Sequence, residues 1–171
     1  MGELIYNQTH IPEEKWRYGF RPSAKTGCGW IALYNALTLM GENPDAETLI
    51  QSLERQIPLI NGNAGTILFS PGLLLKQWGY PVRSTAVQSR FDSLCRESDA
   101  AILFYYWRSG LRIGSHFVAV RCTEQGFWGY NTFSNSEGPD FYGDSLEKFL
   151  RQQKFFGCVL TALRKKPEGK R

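Results

Sequence analysis

The hydrophobic pattern changes its period partway along the chain, and that change restricts the fold more than any other feature. Before it, Trp30, Leu33, Tyr34, Leu37 and Met40 recur at helical spacing over 29–40. After it, AAILFYYW (100–107), SHFVAVRC (115–122) and FWGYN (127–131) read as strands, and 156–163 reads as a last one. The turn at 123–126 makes the second and third runs antiparallel neighbours. Helices first and an antiparallel sheet afterwards predict an α+β fold rather than alternating βαβ units.

Local signals fill in the rest. Residues 1–27 hold no sustained period. Asn43 reads as the cap and Pro44 as the first position of a helix reaching ~56. The stretch 59–70, with Asn61-Gly62-Asn63-Ala64-Gly65, reads as a loop that either lines a cleft or simply connects. A short helix over 70–78, a strand over 82–87 and a helix to ~97 opened by Ser89-Arg90-Phe91-Asp92 follow. Asp144-Ser145-Leu146-Glu147 caps a further helix to ~154.

At 171 residues the chain fits one domain, since domains commonly hold about 100–200. We place it at 1–163. The tail 164–171 (RKKPEGKR) carries five basic residues and one acid, the whole of the net charge of +4. It reads as a solvated end. The domain itself is formally neutral, which argues against a nucleic-acid partner because such proteins present a basic face. No run is apolar and long enough to cross a membrane. The start MGELIYNQTH lacks the pattern of a secretion signal, so the expected location is cytoplasmic and the expected state of the thiols is reduced.

Four cysteines and two histidines, with no CxxC pair, give no zinc pattern. Cys95, Cys122 and Cys158 lie in apolar helix or strand patterns and are expected to pack. Cys28 differs. It stands in Thr26-Gly27-Cys28-Gly29-Trp30, at the expected start of the first long helix. A helix start favours thiolate, and its backbone N–H groups can hold an oxyanion. Flanking glycines let a substrate approach. His116 shares a strand face with Val118 and Val120. Pairing Cys122 with Phe127 sets Asn131 as its same-face diagonal neighbour, and a shorter turn sets Asn131 directly opposite. An amide there can fix the imidazole tautomer. Each residue also has a plain structural reading: a small core residue, a hydrogen-bonded histidine, a turn asparagine. Trp128 either shields the His116–Asn131 contact or packs.

A cysteine opening a helix, a histidine in a strand and an asparagine one hairpin later resemble the papain-like cysteine peptidases. The segments Gly27-Cys28-Gly29-Trp30 through Asn35-Ala36-Leu37 and Ser115-His116-Phe117-Val118-Ala119-Val120 look most like the bacterial branch of bacteriocin leader-processing peptidases, which cleave after a double glycine. The resemblance implies a helical part packed on a C-terminal antiparallel sheet, with the cleft between them. It also implies Cys28 as nucleophile, His116 as base and then acid, Asn131 as orienter, and the Cys28 and Gly29 N–H groups as oxyanion donors. No metal or organic cofactor is needed. The sequence departs from that branch in three ways: Pro22 stands six residues before Cys28, where the family has a glutamine; Asn131 replaces an aspartate; and no transporter segment is present. Gln8, Ser23 and Lys25 are the upstream residues available to replace the glutamine. The expected function is hydrolysis of a peptide or amide bond through a thioester. The alternatives are transfer of the acyl group to an amine, as in a transglutaminase, or a catalytically weak peptide-binding domain.

Overall fold

A computed structural model of the chain describes residues 2–56 and 66–167. The loop expected at 59–70 therefore falls largely outside the described residues, including Asn61 to Gly65, as does the end of the basic tail. The remaining chain builds one six-stranded antiparallel sheet in the order β3-β8-β4-β5-β6-β7: β3 (Val82–Thr85), β8 (Phe156–Leu163), β4 (Ala100–Ser109), β5 (Arg112–Thr123), β6 (Gly126–Tyr130) and β7 (Asp140–Gly143). A separate hairpin, β1 (Arg17–Tyr18) and β2 (Arg21–Pro22), lies in the N-terminal stretch that has no sequence period.

The central strands are buried on both faces, which is why their sequences run apolar without a polar alternate. On one face, Ile102, Phe104, Phe117 and Ala119 meet Trp30, Ile31, Leu33 and Leu37 of α2 (Cys28–Leu39), together with α3 (Ala46–Glu54) and α4 (Ser70–Gln77). On the other, Leu103, Tyr105, Val118 and Val120 meet α5 (Phe91–Arg96) and α6 (Leu146–Gln152) through Phe91, Leu146, Phe149 and Leu150. The α+β expectation therefore holds, with helices covering both faces of the sheet. Each fully buried Leu or Phe contributes roughly 1.5–3 kcal/mol, so the two layers hold the central strands firmly. Cys95 and Cys158 are buried in the second layer and Cys122 packs partly against it.

Two expected caps differ. Asp45, not Asn43, caps α3, because its carboxylate accepts from Thr48 N–H at 2.8 Å. Ser89 sits inside a 3-10 turn ahead of α5 and does not cap it; Asp92 instead accepts from Leu146 N–H at 2.7 Å and so ties α5 to α6. Ser145 does cap α6.

Candidate active site

Cys28 is the first residue of α2, as its sequence context suggests. The chain does not enter this helix from open loop, however. A short helix, α1 (Ser23–Thr26), leads directly into it, and Gly27 N–H already donates to Ser23 C=O at 2.8 Å. The glycines beside Cys28 serve the protein's own packing. A Cβ at Gly27 would crowd the Trp30 indole, whose N–H donates to Ser23 Oγ at 3.1 Å, and a Cβ at Gly29 would collide with Thr66.

Cys28 and His116 are carried by different elements, α2 and β5, and the sheet edge lies between them. Cys28 packs with the α2 layer, whereas His116, by strand alternation, belongs to the face of Val118 and Val120. The last β5–β6 pair is Ala119 with Tyr130, so β6 has left the sheet before it can cover Phe117. A strand N–H points in the plane of the sheet. The backbone N–H groups of Phe117, Gly29 and Cys28 itself lie near enough to the Cys28 thiol to draw its pKa down. The thiol is thus set at the margin of the sheet, beside the residue that follows His116.

His116 is held from the other side. Its Nε2 lies 2.7 Å from the main-chain carbonyl of Asn131. A carbonyl only accepts, so Nε2 carries the proton and Nδ1 is the nitrogen left to take one. The Tyr105 ring, directly across the strand pair, packs edge-on against the imidazole and stacks on Phe155 at 4.1 Å. Burial pushes the His116 pKa down from its ordinary value, partly opposed by the Asn131 carbonyl. Burial also pushes the Cys28 thiol up, against the pull of the three N–H groups. Both directions favour neutral thiol with neutral imidazole at rest, rather than the charged pair that a free helix start would favour.

Asn131 contacts the ring through its backbone, not through the amide that the register suggests. The hairpin has the register in which Cys122 opposes Phe127, but β6 ends at Tyr130 and Asn131 turns to φ +67. Asparagine tolerates this left-handed conformation better than most residues. Its side chain turns instead to the N-terminal segment: Oδ1 accepts from Gln8 N–H at 2.7 Å, and Nδ2 donates to Gln8 Oε1 at 3.2 Å.

The three upstream residues available in place of the missing glutamine are all engaged. Gln8 Nε2 donates to Ala24 C=O at 3.1 Å, Ser23 Oγ accepts from Trp30, and Lys25 pairs with Glu13 at 2.8 Å on the surface. Trp128 does not cover the His116 contact. It lies toward the hairpin turn, against Phe141, and its indole N–H donates to Thr123 Oγ1. A cavity of about 390 Å³ opens beside the imidazole, bounded by Gln8, Tyr105, Trp107, His116, Asn131 and Phe155 among others. Cys28 lies outside its wall, so this space serves the imidazole side of the site.

No helix among the described residues is long and apolar enough to cross a membrane. No protein-family model matches the sequence, and no curated protein matches it. Among solved structures, the chain is similar to the peptidase domain of Streptococcus ComA, a bi-functional ABC transporter involved in a quorum-sensing pathway. The two share 17% identity at a TM-score of 0.54, over 82% of this chain and 93% of that one. With so little identity, the likeness is one of fold: this chain has the papain-like peptidase fold in the form carried by that transporter's peptidase domain.

Proposed function

We propose that this chain is a cysteine peptidase-type hydrolase that cleaves a peptide or amide bond through a thioester on Cys28. The observation that supports the reading is the setting of each partner: a thiol within reach of the Phe117 N–H, one residue after His116, and a histidine whose Nε2–H is fixed by the Asn131 carbonyl. The peptidase fold supports it.

In this mechanism Cys28 Sγ attacks the substrate carbonyl carbon while His116 Nδ1 takes the thiol proton. A neutral imidazole is the correct form for that step. The oxyanion is received by the N–H groups of Cys28 and Gly29, which already face the sulfur. Collapse expels the amine, protonated by His116, and leaves the thioester. Water then attacks, giving its proton to His116, and the acid departs as the thiol re-forms. No step calls for a metal or organic cofactor. The substrate is a peptide or protein segment, and the cavity beside His116 is suited to an apolar group on the leaving side, since Tyr105, Trp107 and Phe155 line it.

The test is digestion of a peptide library by the full chain, read by mass spectrometry with and without an added amine. Cleavage lost in Cys28→Ala, with products unchanged by the amine, supports hydrolysis; amine adducts would show acyl transfer instead. A second reading, peptide binding without turnover, is favoured by Pro22 and by the upward push on the thiol. Binding by wild type and Cys28→Ala alike, with no cleavage by either, would establish it.

A further inference from the structure

We propose that Gln8 is a positioning residue for His116, acting through Asn131, so that the segment 5–8 is a working part of the site. The inference rests on His116 being the base, as argued above.

The Asn131 carbonyl can accept from Nε2 only while residue 131 keeps its left-handed backbone, with φ +67. Few residues adopt that conformation without outside support. The support is a two-point amide clamp. Asn131 is 2% exposed, and its side-chain oxygen and nitrogen each bond to Gln8, one to the main chain and one to the side chain. A buried amide that loses such partners is costly, so the side chain and its backbone are held together.

Gln8 is itself fixed from several directions. Its Nε2 donates to Ala24 C=O at 3.1 Å, in the short helix that feeds Cys28. The preceding Asn7, buried, donates from Nδ2 to Ser134 C=O at 2.8 Å, three residues beyond Asn131. Ile5 bonds the Asn35 amide of α2 through both its N–H (2.9 Å) and its C=O (2.7 Å). The strap therefore touches both elements that carry the site, the α1–α2 run with the nucleophile and the loop after β6 with the orienting carbonyl. Gln8 stands where they join.

The chemistry gives graded variants. Gln8→Ala removes one clamp bond and the Ala24 bond but keeps the main-chain N–H. Gln8→Pro removes that donor as well. Gln8 opens a 3-10 turn and Asn7 before it is extended (φ −148, ψ 110), so proline fits without strain. Gln8→Glu keeps an acceptor for Asn131 Nδ2 but loses the donor to Ala24 C=O, so it separates the clamp bond from the Ala24 bond.

The experiment is long-range ¹⁵N–¹H correlation of the His116 ring in the full chain at pH 7.5, with thermal melting to show that each variant is folded. Wild type is expected to show the Nε2–H tautomer. The ratio of Nε2–H to Nδ1–H is expected to fall about fivefold in Gln8→Ala and further in Gln8→Pro, about what one or two hydrogen bonds carry, while Gln8→Glu, which keeps the clamp bond, falls less than Gln8→Ala. An unchanged tautomer in folded Gln8→Pro would overturn the proposal. Should that variant not fold, identical ring signals in Gln8→Ala and wild type would overturn it equally. The readout needs no substrate, so an absence of peptide cleavage counts against the proposed function alone. Where cleavage is measured, kcat is expected to fall with little change in KM.

Discussion

β5 and β6 are joined at one end by a tight turn and part at the other, and their backbone groups behave differently at the two ends. At the turn, Thr123 pairs with Gly126 and Cys122 with Phe127, Thr123 Oγ1 accepts from the Trp128 indole, and the ladder closes on itself. At the open end, pairing stops at Ala119 and Tyr130. There the Phe117 N–H turns to the Cys28 thiol and the Asn131 carbonyl turns to His116. The same hairpin is structural where its backbone is satisfied by itself and chemical where its backbone is offered to side chains. Substitutions at the two ends should accordingly separate stability from activity.

The largest effect belongs to the open end. Cys28→Ser is expected to lower peptide cleavage by about a thousandfold or more, with the melting temperature nearly unchanged. Next comes the turn. Gly126 has φ +130, and a Cβ there would collide with the Gly143 carbonyl of β7. Gly126→Ala should cost about 2–3 kcal/mol in chemical denaturation, while the rate per folded molecule stays that of wild type. A loss of rate matching Cys28→Ser would break the division between the ends.

Asn131 sharpens it. If the main-chain carbonyl orients His116, then Asn131→Gly, which tolerates φ +67, should retain more activity than Asn131→Ala, which is strained there by roughly 1–2 kcal/mol. Were the side-chain amide the orienter, both would fail alike. Stability against pH divides by the kind of group. His116 has a pKa held below its ordinary 6.5 by burial, so the unfolded chain takes the proton first and stability falls as pH drops below about 6.5. In the α5–α6 layer, burial pushes Cys95 to about 12 and Cys158 to about 11. The unfolded chain loses these protons first, so stability falls as pH rises above the ordinary thiol value of 9.0. His116→Phe should flatten the acid limb of a melting-temperature profile and leave the alkaline limb alone. The smallest effect is Trp128→Phe, which removes one indole hydrogen bond near the turn. Denaturation should register a loss of about 1 kcal/mol or less, with no change in rate.

How much of this was legible in the sequence follows from the range of each interaction. The strands 100–107, 115–122 and 156–163 were readable because burial on both faces leaves dense apolar runs. The helix after Cys28 was readable from its period. β7 and the α1 turn were not, since four residues such as Asp140–Gly143 are too few to show a period. His116 and Asn131 could be set on one hairpin from the register. The contacting atom could not, because nothing local shows that β6 ends one residue early and that Asn131 swings to a left-handed backbone. Gln8 was visible only as an upstream glutamine, and its partner lies 123 residues away. The flanking glycines were read as room for a substrate, although Trp30 and Thr66 occupy that room.

The central claim is that the open end of the hairpin couples His116 to the Cys28 thiol. The rate of Cys28 alkylation by iodoacetamide, followed by mass spectrometry from pH 5 to 9 in wild type and His116→Phe, tests it most directly and needs no substrate. With the neutral imidazole acting as base, wild type should react about tenfold faster than the variant at pH 7, on a profile that rises below pH 6.5, where His116 loses its proton. Equal rates in the two proteins, both rising steadily toward the ordinary thiol value of 9.0 with no step below pH 6.5, would contradict the account.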